Sequence, residues 1–198
     1  MQEVDSMKYI FFLLTMFSIQ WVFGVQVFEG YLTKNDGNYY FTPASADSFY
    51  KVHALTHNVE ENLKRFENGD FIIGSGSLEA ANKKINIESV DYVGLRRLLG
   101  MWVGTDGIMI FKDFSTMSFT PPFSGVKEDN KVRPSLTNYQ KQFRYSMSPT
   151  DGNEWALFVS DDKGTSFATM EFSNKNVIMK IFESESGKIV RTLKLERR

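Results

Sequence analysis

The chain has no cysteine, which excludes a disulfide framework, a thiol nucleophile and cysteine-ligated zinc. Histidine is nearly as scarce, with only His53 and His57 in 198 residues. They lie where an extended run meets a helix start, and no third ligand is near them in sequence, so no metal site is expected. There is no run of lysines and arginines, and the basic residues number 23 against 24 acidic ones. A chain this close to neutrality lacks the electrostatic footprint of a nucleic-acid-binding protein. No Gly-x-Ser-x-Gly elbow occurs. The stretch Gly74, Ser75, Gly76, Ser77 lacks the lysine and following helix of a phosphate loop, and reads instead as a bulge or bend between strands. Carboxylates are plentiful, but they concentrate in turns, as at Asp151 and Asp161, where aspartate bonds its own backbone. Each catalytic template fails in turn. The sequence therefore reads as a non-enzyme, with no cofactor and no metal.

What is present is aromatic. Eighteen phenylalanines and eight tyrosines dominate an aromatic fraction of 15%, within a hydrophobic fraction of 42%. That is enough apolar side chain for true cores, and its character favours pleated, half-buried surfaces. Near the start, Met7 and Lys8 precede a nearly all-apolar run over residues 9–17, and Trp21, Val22, Phe23 and Gly24 follow. This is the layout of a secretory signal, short and weakly flanked for a membrane span, with an uncleaved anchor as the alternative. The expectation is cleavage near Val25, export to the periplasm or medium, and no stable membrane insertion afterwards. Removing residues 1–24 takes away Lys8, Glu3 and Asp5 and leaves basic and acidic residues equal in number.

Residues 25–97 read as three strands, a helix and two more strands. The first strand covers residues 27–33, and Asn35, Asp36, Gly37 and Asn38 form a strong hairpin turn. Tyr39, Tyr40 and Phe41 follow, then a loop with Pro43, then a third strand over residues 49–56. Asn58 reads as a helix N-cap, with Glu61 completing a capping box, while Val59, Leu63 and Phe66 recur at helical spacing up to a stop at Gly69. Strands over residues 71–73 and 85–93 complete the segment. This element order resembles that of the OB-fold, and the junction from Asn62 to Ile72 is similar to the helix-to-fourth-strand passage of bacterial OB-like domains.

Residues 98–198 change character. Eight short extended runs (101–104, 108–112, 116–120, 140–147, 154–160, 166–172, 177–183 and 189–197) are separated by turn residues such as Asp106-Gly107, Asp151-Gly152, Lys163-Gly164 and Ser186-Gly187. Hairpins in such sequence suggest an antiparallel up-and-down meander, whose closure would remove exposed edges. Residues 121–138 form a long polar interval, read as a lid or a tolerated insertion. Gly100, Met101 and Trp102 match the Gly-x-Trp that opens lipocalin-like barrels, and this half resembles that group. The resemblance implies that Trp102 sits at a closed end of the barrel, with Arg191 or Arg197 across it.

The fold class expected is thus mainly β, an OB-like five-stranded barrel with one helix followed by an eight-stranded antiparallel barrel. Arg96, Arg97, Leu98, Leu99 and Gly100 leave almost no linker, so a fixed arrangement is expected. Alternation places Phe143, Tyr145 and Met147, then Trp155, Leu157 and Val159, then Val177, Met179 and Ile181, then Ile189, Leu193 and Leu195 inside the second barrel. Large side chains in short strands favour a filled interior. Phe167 and Phe172 have opposite parity, which a bulge or a doubly covered strand would explain. In the first barrel, alternation turns Tyr31, Tyr40, Lys51 and His53 outward on adjacent strands. The OB resemblance implies ligand binding there, and neutrality favours a glycan or a protein over nucleic acid. The resulting expectation is an exported, non-enzymatic module that recognises a cell-envelope component. The alternatives are a carrier of a small apolar ligand in the second barrel and, further off, a hydrolase with an unrecognised carboxylate site.

Overall fold

The computed structural model describes residues 25–122 and 140–198. The signal-like segment and nearly all of the interval 121–138 lie outside these residues. The first part comprises β1 (Gln26–Asn35), β2 (Asn38–Pro43), β3 (Tyr50–Ala54), helix α1 (His57–Lys64), β4 (Phe71–Glu79) and β5 (Lys84–Gly94). Its strands close in the order β1-β2-β3-β5-β4, with β3 and β5 parallel and the other pairs antiparallel. The expected five-stranded barrel with one helix is therefore present. Leu32, Phe41, Ile72, Ile85, Ile87 and Val93 fill it, and Val59, Leu63 and Phe66 follow from α1 and the turn after it.

Two local expectations are corrected. The helix is capped by Thr56, whose hydroxyl accepts from Val59 N at 3.3 Å, and not by Asn58. The ladder ends where Leu55 N bonds to Ile87 O, so Thr56 is the next residue free to cap. Asn58 already lies inside the helix, and Glu61 pairs with Lys64 at 2.6 Å. The glycine-serine stretch lies within β4 and is not a bend between strands, while the bulge reading holds, since the register shifts at Ile73/Gly74 and again at Ser75/Gly76. A Cβ on Gly74 would stand 2.2 Å from Ser89 O, and one on Gly76 would stand 2.0 Å from Asn86 O. The bare backbone lets β4 and β5 coil tightly, which closes so small a barrel.

The second part contains β6 (Gly100–Gly104), β7 (Gly107–Phe111), β8 (Thr116–Thr120), β9 (Lys141–Pro149), β10 (Trp155–Asp161), β11 (Gly164–Ser173), β12 (Asn176–Phe182) and β13 (Ile189–Arg197). Each pairs antiparallel with the next, and β13 pairs back to β6, closing the eight-stranded up-and-down barrel that the sequence suggests. Trp102, Met109, Phe111, Met117, Tyr145, Met147, Trp155, Leu157, Met170, Met179, Leu193 and Leu195 are buried inside.

Ile189 departs from the expected inward set and is 52% exposed. A register shift on β12 at Ile181/Phe182 lets Ile189 pair with Phe182 on the outer face. The parity problem at Phe167 and Phe172 resolves without any register shift in β11. Phe172 turns inward against Trp102, with ring centroids 6.3 Å apart. Phe167 turns outward between Phe158 and Phe182, each 5.2 Å away.

The two barrels meet through a built seam. Arg65, just past α1, lays its guanidinium 3.9 Å over the Trp155 ring and donates to Thr150 O at 3.0 Å and to Glu154 O at 2.5 Å. Phe66 packs on Trp155 from the same side at 5.5 Å. Phe71 stacks on Phe114 at 5.9 Å, Tyr92 donates its hydroxyl to Phe114 O, and Ser148 Oγ donates to Asp91 O at 2.6 Å. At Gly94 any Cβ would strike the Phe114 ring at 2.5 Å, so the absence of a side chain permits this approach. One hydrophobic cluster runs through both barrels.

Candidate ligand-binding face

The outer face of the first barrel follows from strand alternation. Because Leu32 and Phe41 point inward, Tyr31 and Thr33 of β1 and Tyr40 and Thr42 of β2 point outward. On β3, Lys51 and His53 take the outer positions, opposite Lys84 and Asn86 of β5. Register sets the spacing. Thr33, Tyr40, Lys51 and Lys84 lie in one row across four strands. Tyr31 sits one outer row to one side, opposite Thr42, and His53 sits one outer row to the other side. Outer rows are about 7 Å apart, at two residues of strand rise.

The four expected residues thus share a face, but they are not one cluster. Tyr40 and Lys51 are direct cross-strand neighbours. Tyr31 packs edge-on against Phe71 at 5.3 Å, and Phe71 continues to Tyr92 and Phe114, so Tyr31 belongs to an aromatic group leading to the seam. His53 lies beside Asn86, whose amide donates to Glu79 Oε1 at 2.6 Å and Ser77 Oγ at 3.2 Å. Hydrogen bonds from Asn82 and Asn86, with a smaller attraction from Lys84 and His53, hold the Glu79 carboxyl below its ordinary range.

Two members of this face escape sequence reading. Phe49, 56% exposed, meets Tyr40 edge-on at 6.0 Å. Lys83 brings its ammonium 5.6 Å from the Phe49 ring centroid. Lys83 has a left-handed backbone (φ 47°) in the turn between β4 and β5, and that turn is tied to β3 by Lys51 N donating to Lys83 O at 2.8 Å. The result is an aromatic ledge, Tyr40 with Phe49, bordered by Lys51, Lys83 and Lys84, with an Asn86–Glu79 hydrogen-bonding corner beside His53. Such a surface can stack an apolar ring face and hydrogen-bond the groups at its rim. A large exposed side chain at a strand entrance, as at Phe49, was the available signal, whereas the position of Lys83 depends on a fold-level return of the chain.

His57 opens α1 with its ring 4.0 Å from the Glu60 carboxylate, on a different element from His53. Among the described residues no group of three or more His, Asp or Glu side chains is placed to hold a metal ion.

The residues expected at the barrel end are separated as well. Trp102 is 1% exposed and donates its indole N–H to Leu98 O at 2.7 Å. Arg197 is its cross-strand neighbour on β13 and donates to Leu99 O at 3.0 Å. Arg191 lies six residues back along β13, where it pairs with Asp106 at 2.5 Å in the turn between β6 and β7. The residue whose guanidinium covers an aromatic at the Trp102 end is Arg97, 4.4 Å over Phe172. No protein-family model matches the chain, and no curated protein or solved structure was found similar to it.

Proposed function

We propose that this chain is an exported, non-enzymatic binding module that recognises a cell-envelope component, a glycan foremost and a protein as the second possibility, through the outer face of β2 and β3. One observation carries the reading. The ledge of half-buried Tyr40 and exposed Phe49 stands beside Lys51 and the β4–β5 turn, on the strands and loop that OB-folds use for extended polar ligands. Sugar rings offer both an apolar face for the ledge and hydroxyls for Lys51, Lys84 and the Asn86–Glu79 corner. Export rests on the basic and apolar pattern of residues 7–24. The lipocalin likeness of the second barrel belongs to the same proposal, supported by Gly100, Met101 and Trp102 at the opening of its first strand and by Arg197 across from Trp102. The carrier reading draws no support from an interior filled by tryptophan, methionine and leucine.

The test is a pull-down from envelope extracts separated into polysaccharide and protein fractions, using the wild type and a Tyr40→Ser/Phe49→Ser variant. The expected result is retention of a polysaccharide fraction by the wild type and its loss by a variant that still melts cooperatively. Equal retention by both proteins would remove this face as the site.

A further inference from the structure

We propose that the cleft where the Trp102 end of the second barrel meets the first barrel is a binding site for a phosphomonoester. Glu67, Arg97, Trp102, Phe172, Asn174, Lys175, Arg197 and Arg198 line it, and its volume is about 650 Å³. That size is in the range of small-molecule sites. The charge is one-sided: four cations and one carboxylate surround the cleft of a chain that is formally nearly neutral. A concave wall of one sign focuses the field and draws in the opposite charge.

The cations are held in place by backbone. Arg197 N donates to Lys175 O at 2.9 Å, Arg197 Nη2 donates to Leu99 O at 3.0 Å, and Arg198 N donates to Met101 O at 3.0 Å. These bonds tie the end of β13 to the β11–β12 turn and to β6, and so bring Lys175 and Arg197 to one rim. Arg97 reaches the cleft from the first barrel with its guanidinium fixed over Phe172. Its own bonds are long, 3.3 Å to Glu67 and 3.4 Å to Arg65 O, and its Nε is buried with no partner among the described residues. Arg97 therefore keeps unspent donor capacity. Phe172 offers the apolar floor, and Trp102 packed beneath it has committed its N–H to Leu98 O and adds no competing donor.

Guanidinium forks match phosphate and carboxylate alike. A phosphomonoester has three terminal oxygens, one each for Arg97, Lys175 and Arg197, and carries more charge than a carboxylate. Glu67 opposes it. Its carboxylate, half exposed, lies 3.3 Å from Arg97 Nη1 and must be displaced or bypassed by the ligand.

Titration calorimetry of the full chain would use glycerol 3-phosphate, inorganic phosphate and, separately, vesicles containing phosphatidic acid, with acetate as the carboxylate control. Saturable binding of at least one phosphate probe and none of acetate is expected. Arg197→Gln and Lys175→Gln should each weaken it about tenfold or more, as loss of one charge-assisted contact requires. Glu67→Gln should tighten it several-fold, a gain that a merely structural role for Glu67 would not give. Binding of the soluble probes identifies a small phosphorylated molecule, and binding of vesicles alone identifies a lipid headgroup. The proposal is overturned if none of the phosphate probes binds saturably at millimolar concentration, if acetate binds equally, or if the three variants match the wild type.

Discussion

Arg65 shows how one side chain can hold two barrels together. Its fork satisfies the carbonyls of Thr150 and Glu154 while its plane covers Trp155, so truncation would remove two charge-assisted bonds and a cation–π contact together. Arg65→Ala should cost about 2–4 kcal/mol, and Arg65→Lys should recover less than half, because an ammonium cannot fork or stack in the same way. Urea unfolding midpoints measure both, and an unchanged midpoint for the alanine variant would contradict this role. Asp113 supplies a pH-dependent contribution. Its carboxylate accepts from the Thr116 hydroxyl at 2.6 Å, from the Ser115 and Thr116 amides at 2.8 and 2.7 Å, and from the Ser115 hydroxyl at 2.9 Å. Led by the Thr116 hydroxyl, these bonds hold its pKa at about 2, below the ordinary value. A carboxylate depressed on folding contributes stability that is present above its unfolded value near pH 4 and lost as pH falls toward 2. The wild type should therefore lose more stability between pH 4 and pH 2 than Asp113→Asn does, and parallel curves for the two would refute the assignment.

At the scale of elements, the tightest constraint is the pairing of β4 with β5. A methyl on Gly76 cannot be accommodated by a moving side chain, because what it meets at 2.0 Å is the backbone carbonyl of Asn86. Gly76→Ala should destabilise by several kcal/mol, about 2–4 on the scale of backbone strain and overpacking, and a melting temperature within a degree of the wild type would show that the strand relaxes freely. Strand and turn patterns made most of this level legible, since alternation and turn residues such as Asp106-Gly107, Asp151-Gly152, Lys163-Gly164 and Ser186-Gly187 mark hairpins of the second barrel. What alternation could not show was any feature set by a distant partner. Thr56 caps α1 because the β3 ladder ends at the bond from Leu55 N to Ile87 O, a partner far along the chain. Ile189 faces outward because of a register shift that no local pattern encodes. Tyr31 was legible as exposed, but its separation from Tyr40 follows from Phe71 and Phe114, which reach it only through tertiary folding. Arg65 and Arg97 stood in plain view as basic residues, yet their work depends on Trp155 and Phe172 in the other barrel.

The described residues form two closed barrels around one continuous core, with a three-residue 3-10 turn at Arg96–Leu98 as the passage between them. Shared burial of this kind couples the halves, so unfolding should proceed in a single transition. Far-UV circular dichroism reports both barrels, while Trp102 fluorescence in a Trp21→Phe/Trp155→Phe variant reports the interior of the second; the two melts should coincide, and separate midpoints would show independent halves. Among the described residues no helix is long and apolar enough to cross a membrane. Under the proposed function, recognition falls to the first barrel, with the second barrel as its rigid support. Amide hydrogen exchange of the full chain, with and without the envelope polysaccharide fraction it retains, tests this proposal most directly. Added protection is expected over β2, β3 and the turn at residues 80–83, with the strands of the second barrel unchanged. Protection confined to β6–β13 would contradict it.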